Sequence, residues 1–245
     1  MHVSIIGGNL KRVFCALLVC AAIFVACGDS DSEFISRPDG KFSSSSVSPE
    51  SSSREFGPCK TETEDNCEYG TVTNRDGKIY KTVKIGNLWW MAENLSNDVG
   101  LCFNDSAEYC AKYGALYTWA GAKFDCPTDW RLPTKSEFEN LIEMVGGDSV
   151  AITVLRSSTG WKDGENGTDA YGFSALPAGM RNVKRYHNAD TEYFSDNLTC
   201  FWSSTEFDDY YQNQAYFFYL DKGHAFVSEE YKPFYLSVRC VNDKI

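Results

Sequence analysis

Apolar and polar positions alternate along Tyr80–Ile85, as they do in a half-buried β-strand. Gly86 and Asn87 follow this segment and separate it from the apolar segment Leu88–Met91. Two strand-like segments joined by a two-residue Gly-Asn connection predict a β-hairpin.

A helix is predicted to begin at Thr134. Glu137 follows Thr134 by three residues, so the hydroxyl and the carboxylate can satisfy free backbone amides in a capping box. Four apolar residues then recur at helical spacing on one face: Phe138, Leu141, Ile142 and Val145. Gly146 and Gly147 are expected to end the helix.

Two further segments have weaker patterns. Val150–Leu155 predicts a second short helix, although its β-branched residues disfavour helix. Leu116–Phe124 fits a short helix or a buried strand equally well, and the sequence leaves both interpretations open.

The C-terminal third is predicted to form strands. Phe201–Ser204 is one of them, and Gln214–Leu220 and His224–Ser228 flank a turn at Asp221–Gly223, which predicts a second hairpin. Tyr235–Val241 alternates in polarity, so we expect one buried face there. Two helices followed by short antiparallel strands predict a single domain of the α+β class.

Residues 1–26 have the pattern of an export signal. Lys11 and Arg12 precede the apolar run Val13–Ala26, which is too short to span a bilayer. Cys27 follows directly and resembles the lipidated cysteine of bacterial lipoproteins, where acyl chains on the mature amino terminus hold the protein on a membrane. The resemblance predicts a lipid anchor on the bacterial outer membrane or cell surface. The alternative is an ordinary signal peptide with an incidental cysteine.

A serine-rich segment follows the signal. Residues 27–57 contain few large apolar residues, so we predict a disordered tether ahead of a folded domain that spans residues 58–245. The acidic start of the tether, Asp29–Glu33, resembles export signals of some surface lipoproteins, and a solvated linker explains it equally well.

The charge of the chain excludes one class of partner. The formal net charge is −11, and removal of residues 1–26 takes away two basic residues and no acidic one. A chain this acidic is not expected to bind nucleic acid through phosphate neutralisation. It also repels anionic lipid head groups, so we expect the acyl anchor to supply the affinity for the membrane.

Seven strings in the chain match one family in order, over about residues 70–242. They resemble the Fibrobacter succinogenes major paralogous domain. The resemblance implies a surface lipoprotein of a fibre-degrading bacterium or a relative, and a fold similar to C-type lectins and formylglycine-generating enzymes. It implies no known activity. The matching strings are residues 76–86, 90–95, 116–120, 126–134, 167–179, 201–205 and 237–241.

The resemblance also implies a disulfide between Cys126 and Cys240, as in lectin-like domains. Oxidising compartments favour such bridges. We expect two short local pairs as well, Cys59–Cys67 and Cys102–Cys110, and a buried free thiol at Cys200.

Exposed aromatic residues beside amides or carboxylates suggest a surface that binds glycans. Most tryptophans are expected in the core, but Trp161 with Asp163 is predicted to lie in an exposed loop. The first candidate is the neighbouring segment, which combines two aromatic faces with two amides: Tyr210, Tyr211, Gln212 and Asn213.

No cofactor is predicted. Glu206, Asp208 and Asp209 could bind Ca²⁺, but a solvated acidic loop is the favoured interpretation. Zinc is disfavoured because neither His187 nor His224 has a second ligand at the usual spacing.

Catalysis is an alternative to binding. A glycosidase needs two carboxylates, and Glu93 beside Asn94, or Asp169, are the candidates. Formylglycine-generating enzymes use a redox-active pair of cysteines near the C-terminus. In this chain Cys240 is the sole cysteine in that region, and it is expected to form the disulfide with Cys126, so this activity is disfavoured. We therefore expect a non-catalytic domain that binds plant-fibre polysaccharide or another glycan. An enzyme of the formylglycine-generating fold group, or a structural envelope protein without a small ligand, remains the alternative.

Overall fold

The computed structural model of the chain describes residues 57–182, 197–208, 210 and 212–244. The predicted signal peptide, Cys27 and the tether up to residue 56 lie outside the described residues.

The described residues form a mixed α and β unit with four α-helices and seven β-strands. The helices are α1 (Ala107–Tyr113), α2 (Trp119–Asp125), α3 (Lys135–Met144) and α4 (Asp148–Val154). The strands are β1 (Tyr69–Thr73), β2 (Ile79–Ile85), β3 (Leu88–Met91), β4 (Leu198–Glu206), β5 (Gln214–Asp221), β6 (Ala225–Tyr231) and β7 (Val241–Asn242).

The strands form two small antiparallel sheets. One has the strand order β1-β2-β3-β7 and the other β4-β5-β6. Both predicted hairpins are confirmed, because β2 pairs with β3 around Gly86 and β5 pairs with β6 around residues 222–224. Gly86 has a φ of 63°, which a residue with a side chain rarely adopts.

Each sheet packs against apolar side chains on both of its faces. Successive residues of β3 show this directly: Trp89 and Met91 belong to one core cluster, and Trp90 belongs to the other. Trp202 and Phe201 divide between the same two clusters on β4. The two core clusters therefore lie on opposite faces of the strands, and α3 covers one of them.

The local signals for α3 are confirmed. The amide of Glu137 donates to the Thr134 hydroxyl (3.2 Å), and the Thr134 amide donates to the Glu137 carboxylate (2.7 Å), so the capping box is complete. Phe138 and Leu141 are buried at or below 1 % exposure on the predicted face. The second predicted helix, at Val150–Leu155, corresponds to α4.

The prediction of two helices is wrong, because α1 and α2 are also present. Each has seven residues, which is about two turns and too short to display a repeating apolar face. The ambiguous segment Leu116–Phe124 divides at Thr118. Leu116 and Tyr117 make isolated β-bridges, and α2 begins at Trp119.

The prediction of one buried face along Tyr235–Val241 is also wrong. Ser237 and Arg239 are as fully buried as Leu236 and Val238. The segment makes short bridges to different parts of the chain, such as Ser237 with Phe201, and joins a sheet at β7. Protein therefore surrounds it on both sides, and polar side chains there need buried partners.

Three disulfides connect six of the seven described cysteines, as predicted. They join Cys59 to Cys67, Cys102 to Cys110, and Cys126 to Cys240. Cys200 is a fully buried free thiol, and burial raises its pKa well above the ordinary value.

Within the described residues, no helix has both the length and the apolar character needed to cross a membrane.

The long-range disulfide should contribute more stability than a local one. Cys126 and Cys240 are separated by 114 residues, whereas Cys102 and Cys110 are separated by eight. A disulfide restricts the unfolded chain, and the restriction grows with the length of the loop that it closes. Removing the bridge by Cys126→Ala with Cys240→Ala should therefore lower the free energy of unfolding by about 4 to 5 kcal/mol, against about 2 to 3 kcal/mol for Cys102→Ala with Cys110→Ala. Urea unfolding of the two double variants measures the difference, and equal losses would contradict the assignment.

Candidate binding cleft

A fully buried arginine forms the back of the candidate site. Arg239 Nε donates to Asn94 Oδ1 (2.5 Å), and Nη1 donates to the carbonyls of Met91 (2.8 Å) and Phe173 (2.6 Å). Nη2 donates to the Ser174 carbonyl (3.0 Å). Arg239 therefore connects the end of β3 to the loop that contains Phe173 and Ser174.

Two features of the surroundings of Arg239 act on its pKa in opposite directions. Burial lowers the pKa of Arg239, whereas the nearby carboxylates of Asp169 and Glu93 raise it. Its guanidinium also lies 5.0 Å from the ring centre of Phe173 and 5.5 Å from that of Phe201. An arginine remains protonated in proteins, so hydrogen bonds, carboxylates and ring faces together accommodate a buried positive charge.

Asn94 carries this network to helix α1. Its Nδ2 donates to the Tyr113 carbonyl (2.7 Å) and to Ser237 Oγ (3.4 Å). Gly114 ends α1 with a φ of 80°, and a Cβ there would lie 2.5 Å from the Cβ of Asn94. The close approach of backbone to Asn94 thus requires glycine at this position.

Asp169 has a structural environment. It is 4 % exposed and adopts a left-handed φ of 52°. Its Oδ1 accepts the Ser174 amide (2.6 Å), and its Oδ2 accepts both the Ser174 hydroxyl (2.7 Å) and Lys60 Nζ (2.8 Å). The Asp169 carboxylate therefore fixes the loop at Ser174 and also binds Lys60, which lies in the disulfide hairpin closed by Cys59 and Cys67.

A cleft of about 370 Å³ opens in front of these residues. Glu93 lies in it as an exposed carboxylate, and its Oε2 accepts the Lys81 amide (2.6 Å). The described residues provide no hydrogen bond to the other oxygen of Glu93. Ser158 and Thr159 add exposed hydroxyl groups to the lining. The cleft therefore offers a fixed carboxylate and several hydroxyls to a ligand.

The cleft continues into two neighbouring hollows. One of about 430 Å³ shares Lys112 and Tyr113 with it and extends to Tyr109 on α1, whose ring centre is 5.7 Å from that of Tyr113. Another of about 680 Å³ shares Ser158 and extends to Lys60 in the disulfide hairpin. Both hollows therefore adjoin the cleft through shared lining residues.

The family model described as the Fibrobacter succinogenes major domain matches residues 83–242. The chain belongs to this family. No curated protein and no solved structure matches it.

The family domain contains most of the candidate site. Glu93, Asn94, Asp169 and Arg239 lie within the matched residues. The fold brings Asp169 into one cleft with Glu93 and Asn94, from which it is remote in sequence, and the two carboxylates were predicted separately as residues of interest. Lys78, Lys81 and Lys112 also line the cleft and were not predicted. Lys81 carried no signal beyond the polarity of strand β2, Lys78 lies just before that strand, and Lys112 lies in the unpredicted helix α1.

The prediction that Trp161 is exposed is wrong. It is 5 % exposed, and its Nε1 donates to Ser157 Oγ (3.1 Å) and to the Ala175 carbonyl (3.0 Å). The guanidinium of Arg156 lies 4.9 Å from the centre of its ring. Trp161 therefore packs as a core residue, while its neighbour Asp163 is exposed with a left-handed φ of 54°.

The described residues of the predicted glycan-binding segment at Tyr210 lie outside the cleft. Tyr210 is 94 % exposed, and the backbone carbonyls of Gln212 and Asn213 accept bonds from Lys232. Among its described residues, none lines the cleft, and Tyr211 lies outside the described residues. Glycan binding by this segment stays a prediction.

The acidic residues near this segment have a local cation. Glu206 forms an ion pair with Lys232 (2.8 Å), and the hydrogen bond from Lys232 lowers the pKa of Glu206. Asp208 is exposed, and Asp209 lies outside the described residues. In the described part of the chain, no group of three histidine, cysteine, aspartate or glutamate residues could hold a metal ion.

Replacement of Arg239 should destabilise the whole domain. Arg239→Met removes the guanidinium donor from the Asn94 amide oxygen and from three backbone carbonyls, so we expect the free energy of unfolding to fall by about 3 to 5 kcal/mol. Lys84→Met is the control, because Lys84 pairs with Glu68 at the surface and should contribute less than about 1 kcal/mol. Urea unfolding followed by tryptophan fluorescence compares the two variants. Similar small losses would contradict the role assigned to Arg239.

Proposed function

We propose that the chain is a non-catalytic binding module that holds a sugar chain in the cleft beside Glu93. The observation that carries the proposal is the Glu93 carboxylate, which the Lys81 amide fixes through one oxygen while the other remains available. Sugar hydroxyls donate well to carboxylates. Ser158 and Thr159 provide further partners along the same cleft.

Binding is favoured over glycoside hydrolysis by the environment of Asp169. Hydrolysis by two carboxylates requires a second carboxyl group that acts as acid, base or nucleophile. Both oxygens of Asp169 are instead engaged by Ser174 and Lys60. Of the two carboxylates in the cleft, Glu93 alone therefore has an oxygen to offer to a ligand.

The proposal includes a C-type-lectin-like grouping for the fold. The Cys126–Cys240 bridge supports it, because it joins the end of α2 to the segment that leads into β7. The two small antiparallel sheets with helices packed against them are consistent with the same grouping.

The proposal also includes a lipid anchor at Cys27. The sequence supports it through the short apolar run that ends at Ala26 and the serine-rich segment that follows. Acyl chains on Cys27 would place the binding domain on a tether at the bacterial outer membrane or cell surface. Such a position suits a module that captures insoluble or external sugar chains.

Glu93→Gln tests the cleft. The amide side chain keeps an oxygen for the Lys81 amide but loses the negative charge, so affinity for a bound oligosaccharide should fall about 10-fold. Screening the full chain in mild detergent against a panel of neutral and acidic plant oligosaccharides identifies the ligand, and titration calorimetry measures the affinity. Glu143→Gln, an exposed change on α3 outside the cleft, should bind normally.

Tyr210→Ala separates the two candidate surfaces. Loss of binding in this variant, with normal binding by Glu93→Gln, would assign the ligand to the Tyr210 segment and overturn the cleft. Absence of binding to every oligosaccharide in the panel would favour a structural envelope protein.

Cys27→Ala tests the anchor. Without the thiol no diacylglyceryl group can attach, so the variant should move from the membrane fraction to the soluble fraction or accumulate with its signal uncut. Detergent phase partition and mass spectrometry of the amino terminus measure both outcomes. A variant that still fractionates with membranes as wild type does would refute lipid attachment at this residue.

A further inference from the structure

Three lysines in the cleft have no carboxylate partner within the part of the chain that the structure describes. Lys78, Lys81 and Lys112 line the cleft and are exposed, and none makes an ion pair with a described acidic residue. Lys78 Nζ contacts the Ser96 carbonyl at 3.4 Å, which leaves its charge uncompensated.

Lysines elsewhere on the surface are commonly paired. Lys84 pairs with Glu68, Lys135 with Glu139, Lys222 with Glu165, and Lys232 with Glu206. The chain has 34 acidic residues against 23 lysines and arginines, so carboxylate partners are abundant. Against this background, three unpaired lysines along one cleft form a local concentration of positive charge.

Each of these lysines lies near the face of a tyrosine ring. The Nζ atoms of Lys78, Lys81 and Lys112 are 5.2, 3.6 and 4.7 Å from the ring centres of Tyr80, Tyr69 and Tyr113. A ring face attracts an ammonium group without neutralising it. The tyrosines therefore restrict the lysine side chains while leaving their charge for a ligand.

The acidic residues of the cleft do not cancel this charge. Two carboxylates line the cleft, and the charge of Asp169 is already balanced by Lys60. The negative charge of Glu93 is then set against the positive charges of three lysines. Glu93 is a natural acceptor for hydroxyl donors, whereas the lysines are donors for an anionic group. The combination matches a ligand that carries hydroxyls and negative charges on one chain.

We propose that the ligand is a negatively charged sugar chain, whose carboxylate or sulfate groups contact Lys78, Lys81 and Lys112 while its hydroxyls contact Glu93. This inference rests on the proposed function and names its ligand class. Lys112 also lines the neighbouring hollow that extends to Tyr109, so more than one charged sugar unit can contact the lysines.

The first test compares two oligosaccharides that differ in charge. Hexagalacturonate and its carboxyl-reduced, neutral counterpart are titrated into the full chain in mild detergent at low salt. The acidic hexamer should bind about 10-fold tighter, and its advantage should shrink at high ionic strength because surface charges are screened. A sulfated galactan hexamer distinguishes sulfate from carboxylate, and lysine-dependent binding of either supports the proposal.

The second test removes the charge from the cleft. Combined Lys78→Gln, Lys81→Gln and Lys112→Gln should weaken binding of the preferred acidic hexamer about 10-fold or more, since each exposed contact contributes about 2- to 5-fold. The triple change to arginine should retain affinity and shows that the altered surface still folds. Lys123→Gln is the matched control, because Lys123 also lies over a ring, that of Trp119 at 4.3 Å, but outside the cleft.

Several outcomes would overturn the inference. Equal affinity for the charged and neutral hexamers, with both sensitive to Glu93→Gln, would refute the charge preference and leave the proposed function standing. Binding of neither hexamer nor of the sulfated one would refute this inference, and failure across the whole oligosaccharide panel would refute the proposed function as well. Lysine-dependent binding of polyglutamate as tight as that of the acidic hexamer would refute a sugar ligand.

Discussion

The fold depends on the hydrogen bonds of one buried guanidinium. Arg239 is completely removed from solvent, and its donors reach the Asn94 side chain and the backbone at Met91, Phe173 and Ser174. A buried cation without such acceptors would cost several kcal/mol, so the surrounding chain is constrained to present oxygen atoms at fixed positions. The loop before β4 and the end of β3 are thereby held against the same group.

The same constraint explains why a cleft exists at this place. Asn94 is bonded to Arg239 on one side and to the Tyr113 carbonyl on the other, which fixes its neighbour Glu93 at the surface. The Lys81 amide then orients the Glu93 carboxylate. Buried groups thus supply rigidity, and the exposed ones remain available for a ligand, a division that suits binding sites in general.

Sequence patterns succeeded where the determining contacts are local. Thr134 and Glu137 cap α3 within one turn, and Gly86 connects two adjacent strands, so neither feature depends on the rest of the chain. The burial of Trp161 was not predicted, because its ring nitrogen donates to the Ala175 carbonyl, which lies 14 residues away. The burial of Arg239 was not predicted either, because its acceptors come from distant parts of the chain, such as the Phe173 carbonyl. The convergence of Glu93 with Lys112 and Asp169 is likewise a tertiary property that no spacing encodes.

The position of Arg239 along the chain also has a consequence for biosynthesis. Its acceptors precede it by 65 to 148 residues. A polypeptide that emerges gradually from the ribosome therefore exposes these oxygens to water long before their donor has been made. Completion of this part of the core must therefore wait for the last few residues to be synthesised, so folding of the unit finishes only after translation has nearly ended.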